Sequence, residues 1–239
     1  MTLTGRIETV VLDTPDIDRL ADFYGDLAGW KALRRDTDWI TLETDDGRQV
    51  SFQLVPDHVA PRWPGQELPQ QYHLDLQVDG IEEAAERAVR LGATRLATGA
   101  SWITMADPSG HPFDLCQKDG LGEATELFAI TVDAPDASAL ARFYADLLGI
   151  EVTYEGPEGA LAAGGSTSLM FQNVADYTPP AWPDPARPQQ FHLDILVEDL
   201  DAGQARVLEL GATRLEGGNE NFRVFADPVG HPFCLTVAG

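Results

Sequence analysis

The second half of this chain repeats the first. Trp63-Pro64, Gln70-Gln71-Tyr72-His73-Leu74-Asp75 and Leu91-Gly92-Ala93-Thr94-Arg95-Leu96 return as Trp182-Pro183, Gln189-Gln190-Phe191-His192-Leu193-Asp194 and Leu210-Gly211-Ala212-Thr213-Arg214-Leu215. Asp107-Pro-Ser-Gly110-His111-Pro112-Phe113 returns as Asp227-Pro-Val-Gly230-His231-Pro232-Phe233, and Phe23-Tyr24 as Phe143-Tyr144. The offset runs 120, then 119, then 120 residues, so the copies differ by single-residue loop changes. A repeat of this length in 239 residues divides the chain into two domains of ordinary size, 1–117 and 126–239, joined by a Gly-containing linker at 118–125.

Within each half a second periodicity is legible. Ile7–Asp13 alternates and is rich in β-branched residues, which predicts a strand. Asp16 is placed to cap a helix carrying Ile17, Leu20, Phe23, Tyr24 and Leu27 at helical spacing, with Gly29 ending it. Strands are expected near Trp30–Arg34, Trp39–Thr44 and Val50–Val55, and a Pro-rich loop from Pro56 to Pro69. The order then restarts: strand Tyr72–Val78, helix Ile81–Leu91 closed by Gly92, and strands Trp102–Ala106 and Phe113–Gln117. The chain therefore reads as an α+β protein of four strand-helix-strands units.

These residues bring the chain close to a known family. Asp13-Thr-Pro-Asp16 with Phe23-Tyr24 and Gly29, His73-Leu-Asp75, Leu91-Gly92-Ala93 and Asp107-Pro-Ser-Gly110 all recur in order in the second half, and together they resemble a tandem pair of domains of the vicinal oxygen chelate superfamily. That group includes glyoxalase I, extradiol dioxygenases and the bleomycin and fosfomycin resistance proteins. The resemblance covers nearly the whole chain and implies paired βαβββ modules whose mixed sheets curve around a pocket in each domain. Fold alone does not define chemistry.

Composition narrows the partners. A hydrophobic content of 44% supports two real cores, and a net charge of −23 with only two lysines, Lys31 and Lys118, disfavours nucleic acid and anionic membrane surfaces. No long apolar span or basic-then-apolar leader is present, and Cys116 and Cys234 occupy non-equivalent repeat positions. Reduced thiols in the cytoplasm are the expectation, in a monomer with pseudo-dimeric domains or in a homodimer.

Strand alternation assigns the pocket side. With Leu74, Leu76 and Val78 against the helix, His73, Asp75 and Gln77 face the pocket, and so do Thr9, Val11 and Asp13, and Asp114 and Cys116. The second half offers His192 and Asp194, Ala129, Thr131 and Asp133, and Cys234 and Thr236. Family members that bind a divalent metal (Fe, Mn, Ni, Zn or Mg) hold it from the first, fourth, fifth and last strands. The resemblance then implies Thr9, Gln53, His73 and Asp114 in the first half, and Ala129, Gln172, His192 and Cys234 in the second. The first-strand donor is missing from both. A one-residue shift would bring Glu8 to the vacant position, and exchange of modules between domains would instead join Thr9 and Gln53 to His192 and Cys234, and Ala129 and Gln172 to His73 and Asp114. The metal set carried forward is His73, Asp114 and Gln53.

A histidine beside two aspartates is as readily a hydrogen-bonded polar core group as a ligand. His111 and His231, in Gly-His-Pro turns, read as structural. No Gly-x-Ser-x-Gly elbow or phosphate loop is present: Ala163-Gly164-Gly165 lacks the following Lys. Two readings stand. One is a binding module for a small, partly apolar or aromatic molecule, held by Asp13, Trp63, His73 and Asp75 in one pocket and by Asp133, Trp182, His192 and Asp194 in the other. The other is a divalent-metal-dependent lyase, isomerase or dioxygenase with its site in the first domain.

Overall fold

The computed structural model describes residues 4–184 and 186–238. The first module holds β1 (Arg6–Thr14), α1 (Ile17–Ala28), β2 (Lys31–Arg35), β3 (Trp39–Glu43) and β4 (Gln49–Leu54). The second holds β5 (Tyr72–Val78), α2 (Ile81–Leu91), β6 (Thr94–Thr98), β7 (Trp102–Ala106) and β8 (Pro112–Gln117). The third comprises β9 (Thr125–Ala134), α3 (Ala137–Leu148), β10 (Glu151–Glu155), β11 (Gly159–Gly164) and β12 (Thr167–Asn173). The fourth comprises β13 (Phe191–Leu196), α4 (Leu200–Glu209), β14 (Thr213–Gly218), β15 (Phe222–Ala226) and β16 (Pro232–Thr236).

The helix ends follow from their caps. Asp16 accepts from the Arg19 amide at 3.0 Å, and its repeat counterpart Asp136 accepts from Ala139 at 3.0 Å. Gly29 closes α1 at φ 75°, a conformation that costs glycine nothing. One strand, β6, was not expected from sequence: Thr94–Thr98 is an edge strand with half-exposed to exposed residues, so no buried stripe marks it.

The modules combine crosswise. One eight-stranded sheet runs β14-β15-β16-β13-β1-β4-β3-β2, joining the first and fourth modules, and the other runs β10-β11-β12-β9-β5-β8-β7-β6, joining the second and third. The helix-side cores, by contrast, stay within each half of the sequence. Phe23 of α1 packs edge-on to Phe113 of β8, and Tyr24 donates to Asp107 Oδ2 at 3.1 Å; Phe143 meets Phe233, and Tyr144 donates to Asp227 Oδ2 at 3.1 Å. Each half thus owns its helix core and shares both of its sheets.

At the centre the repeated Gln-Gln-aromatic-His segments meet each other. Gln71 Oε1 accepts from the Gln190 amide at 3.0 Å, and the main chain of each segment accepts from an aspartate amide across the seam, Asp133 to Gln71 and Asp13 to Gln190. Tyr72 and Phe191 stack at 5.8 Å. His111 packs on Phe191 and His231 on Tyr72, each reaching the opposite half. His111 Nε2 donates to the Asp13 carbonyl at 2.7 Å, and burial pushes this imidazole down to about 4, so it is a neutral packing group.

Asp107 is buried, and desolvation raises its carboxyl to about 7 against the bonds it accepts from Ser109, His111 and Tyr24. A folded pKa above the unfolded value of 3.8 means that this contribution is fully present below about pH 4 and is lost as pH rises through 7. Asp107→Asn does not titrate. Its stability relative to wild type should therefore shift in the variant's favour between pH 4 and 7, by up to about 4 kcal/mol, and stay flat above. Urea unfolding of both proteins across that range checks this; a pH-independent difference contradicts it.

Candidate metal and ligand sites in the two sheets

Crosswise pairing changes which residues share a pocket. Gln53 lies on β4 beside Asp13 of β1, in the sheet that carries His192, so it does not join His73 and Asp114. The set His73–Asp114–Gln53 is therefore corrected: the glutamine in the sheet with His73 is Gln172. Its Nε2 donates to Asp133 Oδ1 at 2.7 Å, and Ala129, with no donor, sits opposite Asp75.

In the sheet formed by the second and third modules, parallel pairing of β5 with β8 sets Asp75 beside Asp114 on one face, with His73 two residues away. His73 Nε2 lies 3.7 Å from Asp75 Oδ1 and 3.9 Å from Asp114 Oδ2. These separations are slightly above the ~3.4 Å edge of a tetrahedron with ~2.1 Å bonds, so small side-chain adjustments would let three donors converge on one ion. His73 and Asp75 are buried, and no Lys or Arg bonds to the cluster among the described residues. Burial raises the Asp75 carboxyl, against His73 and the Thr131 hydroxyl, which donates to Oδ2. Two carboxylates and one imidazole without a protein cation are a donor set suited to a divalent ion.

The other side of His73 is already organised. The Gln70 amide nitrogen lies 3.3 Å from His73 Nδ1 and 3.2 Å from Asp133 Oδ1. So oriented, the amide donates to Nδ1 and leaves the ring proton on Nε2, facing the carboxylates. A metal at Nε2 requires the other tautomer and a rotated Gln70 amide. Asp133, whose carboxyl burial pushes upward, can when protonated donate a hydrogen bond to the rotated amide oxygen.

The sheet formed by the first and fourth modules has a different lining. His192 Nε2 lies 3.6 Å from Asp194 Oδ1, but Cys234 replaces Asp114. Burial alone lowers His192 to about 4, and burial raises Asp194 to about 7 and Asp13 to about 7. Gln189 donates to Asp13 Oδ2 at 3.0 Å, while Asp13 Oδ1 and His192 Nδ1 have no partner among the described residues. Where the other sheet has Met170 and Leu161, Ser51 and Thr41 link by hydroxyl bonds of 2.9 Å to Thr9 and to each other, with the Trp39 indole donating to Thr41. Cys116 and Cys234 are both free thiols.

Sequence alternation missed a matched pair of β-bulges. Between Ile7 and Thr9 the register slips by one, and Glu8 turns inward to accept from Thr236 Oγ1 at 2.8 Å. The bulge sets Glu8 against Thr236, in the sheet of His192 and not in that of His73. The equivalent slip between Asp75 and Leu76 leaves Phe128 as the extra residue, 36% exposed, at Glu8's position in the other sheet. Nearby, Trp102 pairs with Cys116 on the inner face and is 43% exposed, its ring lying where a Cβ on Gly99 would come within 2.2 Å. Phe128 and Trp102 are thus two exposed aromatics on strands of the sheet that carries His73. Trp63 and Trp182 are half-buried in the long loops, and the Trp182 ring lies near Gly217 of edge strand β14.

With this geometry in place, comparison with known proteins is informative. The family model described as a glyoxalase-like domain matches residues 9–116 and again 129–236. The chain belongs to this glyoxalase-like family, within the vicinal oxygen chelate superfamily, and carries two tandem copies of its domain. Glyoxalase I from Zea mays is similar in structure, with 18% identity, a TM-score of 0.67, and coverage of 98% of this chain and 93% of that one. A putative dioxygenase from Bacillus subtilis gives 11% identity and a TM-score of 0.66 over 99% and 86% of the two chains. The cppA protein from Streptococcus pneumoniae gives 15% and 0.56 over 99% and 100%. At these identities the likeness concerns fold. Comparison with curated proteins gave no match. No helix among the described residues is long and apolar enough to cross a membrane.

Thr131 is the hydroxyl donor to buried Asp75, and the equivalent position in the other sheet is Val11. Thr131→Val is nearly isosteric and leaves that carboxylate oxygen unsatisfied. It should cost about 1–3 kcal/mol in urea unfolding at pH 7, with Val11→Ala as a packing control. An unchanged midpoint would show that the bond contributes nothing.

Proposed function

We propose that the pocket of the second and third modules is a divalent-metal site held by His73, Asp75 and Asp114, and that the protein acts there on a small molecule with adjacent oxygens and an apolar or aromatic part. The observation that supports this is the buried convergence of two carboxylates and an imidazole with no protein cation beside them. A bound ion would supply Lewis-acid polarisation of substrate oxygens, the chemistry common to metal-assisted lyases, isomerases and dioxygenases. The chain's own groups do the rest. Gln70 orients His73; Asp133, next to it and outside the ligand triad, can hold or move a proton; Trp102 and Phe128 offer apolar faces at the opening.

A second reading applies to the other pocket. There His192, Asp194 and Cys234 also bring donors within 4.8 Å of one another, but burial pushes the Cys234 thiol up, away from the thiolate that a metal needs, and a hydroxyl row from Thr9, Ser51 and Thr41 replaces the apolar wall. We assign it metal-free binding of a small molecule, with Asp13, His192 and Asp194 as polar contacts and Trp182 in the loop beyond.

Metal content of protein purified without chelator or added metal tests both readings. Wild type and His192→Ala should retain about one divalent ion per chain, and His73→Ala should lose it. Equal loss from both single variants would overturn the assignment to one pocket. Tryptophan fluorescence with a catechol or α-keto acid probe then tests the aromatic opening. Trp102→Ala should weaken binding to metal-loaded protein by roughly tenfold, whereas unaltered affinity would remove Trp102 from the site.

A further inference from the structure

Where the first and third modules meet, a cleft of about 160 Å³ opens between the start of β1 with the β3–β4 turn and the β11–β12 turn. Arg6, Arg48 and Gln49 form one wall, and Ser166, Thr167 and Ser168 the other. The matching pairings Val10–Val50 and Ile130–Leu169 show that Arg48 and Gln49 are the repeat equivalents of Thr167 and Ser168. Equivalent turns therefore face each other, but both arginines come from one copy and the facing hydroxyls from the other. This is the Gly-Gly-Ser-Thr-Ser stretch, which lacks the lysine of a phosphate loop within its own sequence. The fold brings cationic groups to it from elsewhere.

The cationic wall is partly preset. Arg48 is held by Asp46, with Nε 2.9 Å from Oδ2, and by the Leu127 carbonyl, and its side chain is only 18% exposed. Its orientation is fixed before any ligand arrives, which lowers the ordering cost of binding. Arg6 is exposed and makes no ion pair among the described residues. Glu8 also lines the cleft, and its carboxylate accepts from Thr236 Oγ1 at 2.8 Å. In a chain with 39 acidic and 16 basic residues, the cleft brings the Arg6 guanidinium, which Asp46 does not bond, and the Asp46-bonded Arg48 beside Ser166, Thr167 and Ser168.

We propose that this cleft is an oxyanion site for phosphate, free or as the terminal group of a small phosphorylated metabolite. Arginine forks and hydroxyls are the donors that recognise phosphoryl oxygens. A tetrahedral anion can engage both walls at once, whereas the two coplanar oxygens of a carboxylate face one. The volume is below the roughly 300 Å³ at which pockets enclose whole organic ligands, so the cleft takes the phosphoryl group and leaves any remainder outside.

Phosphorus NMR titration of the full chain with inorganic phosphate, repeated with methyl phosphate, tests this. Saturable line broadening is expected, at least roughly tenfold weaker in Arg6→Gln and in Ser168→Ala, and unchanged in His73→Ala. Arg48→Gln also removes an anchor to Leu127, so Arg6 and Ser168 carry the test if that variant unfolds. Comparable binding of the two probes supports recognition of a phosphomonoester; binding of inorganic phosphate alone supports the free ion. Absence of saturation, wild-type affinity in Arg6→Gln, or loss of binding in His73→Ala overturns the proposal, the last by placing phosphate at the metal pocket. Failure of the metal site leaves this result unaffected.

Discussion

The meeting of the two Gln-Gln-aromatic-His segments is the contact on which the rest depends. Gln71 accepts from the Gln190 amide and donates to the Pro188 carbonyl, Gln190 donates from its side chain to the Pro69 carbonyl, and Tyr72 stacks on Phe191. Gln71 and Gln190 are buried, so each of these bonds lost would cost about 1–3 kcal/mol. His73 and His192 sit immediately after these segments. The contact that joins the halves thereby also orients the His73 imidazole through Gln70, whereas the equivalent Gln189 bonds Asp13 instead of His192.

Much of this was readable beforehand, for identifiable reasons. Asp16 and Gly29 declare α1 because a cap and a left-handed terminator are local devices. Leu74, Leu76 and Val78 sort the faces of β5 because an unbroken strand has a period of two. What failed was non-local or irregular. Gln53 was grouped with His73 because nothing within one repeat copy says which copy its sheet partner belongs to. Alternation did not single out Phe128, and it reached Glu8 only as a one-residue shift, because a bulge adds one residue without a marker in the sequence. Trp102 is an aromatic at the start of a short strand, and only its pairing with Cys116 shows that it faces the pocket.

Duplication followed by divergence explains the contrast between the pockets. Each keeps a His-x-Asp pair on the same strand, in the same geometry, with separations of 3.7 and 3.6 Å. Around that constant pair the linings differ by single positions: Asp114 against Cys234, Thr131 against Val11, Phe128 against Glu8. The pocket of His73 gains a second carboxylate, a hydroxyl donor to Asp75 and an exposed aromatic, and the other has a thiol, an alkyl side chain and the Glu8 carboxylate at those positions. One fold thereby presents two chemical environments without altering its backbone plan.

Crosswise pairing also orders events in time. β1, near the start of the chain, lies between β4 and β13, and β13 begins at Phe191. During synthesis the first module must wait with an open sheet edge until most of the chain exists, while the second and third modules can complete their sheet earlier. Closing that last pairing across so long a separation is slow by the usual dependence of folding rate on sequence distance. The exposed edge of β1 is thus a temporary liability of the nascent chain, and one that a chaperone or a second nascent copy is placed to cover.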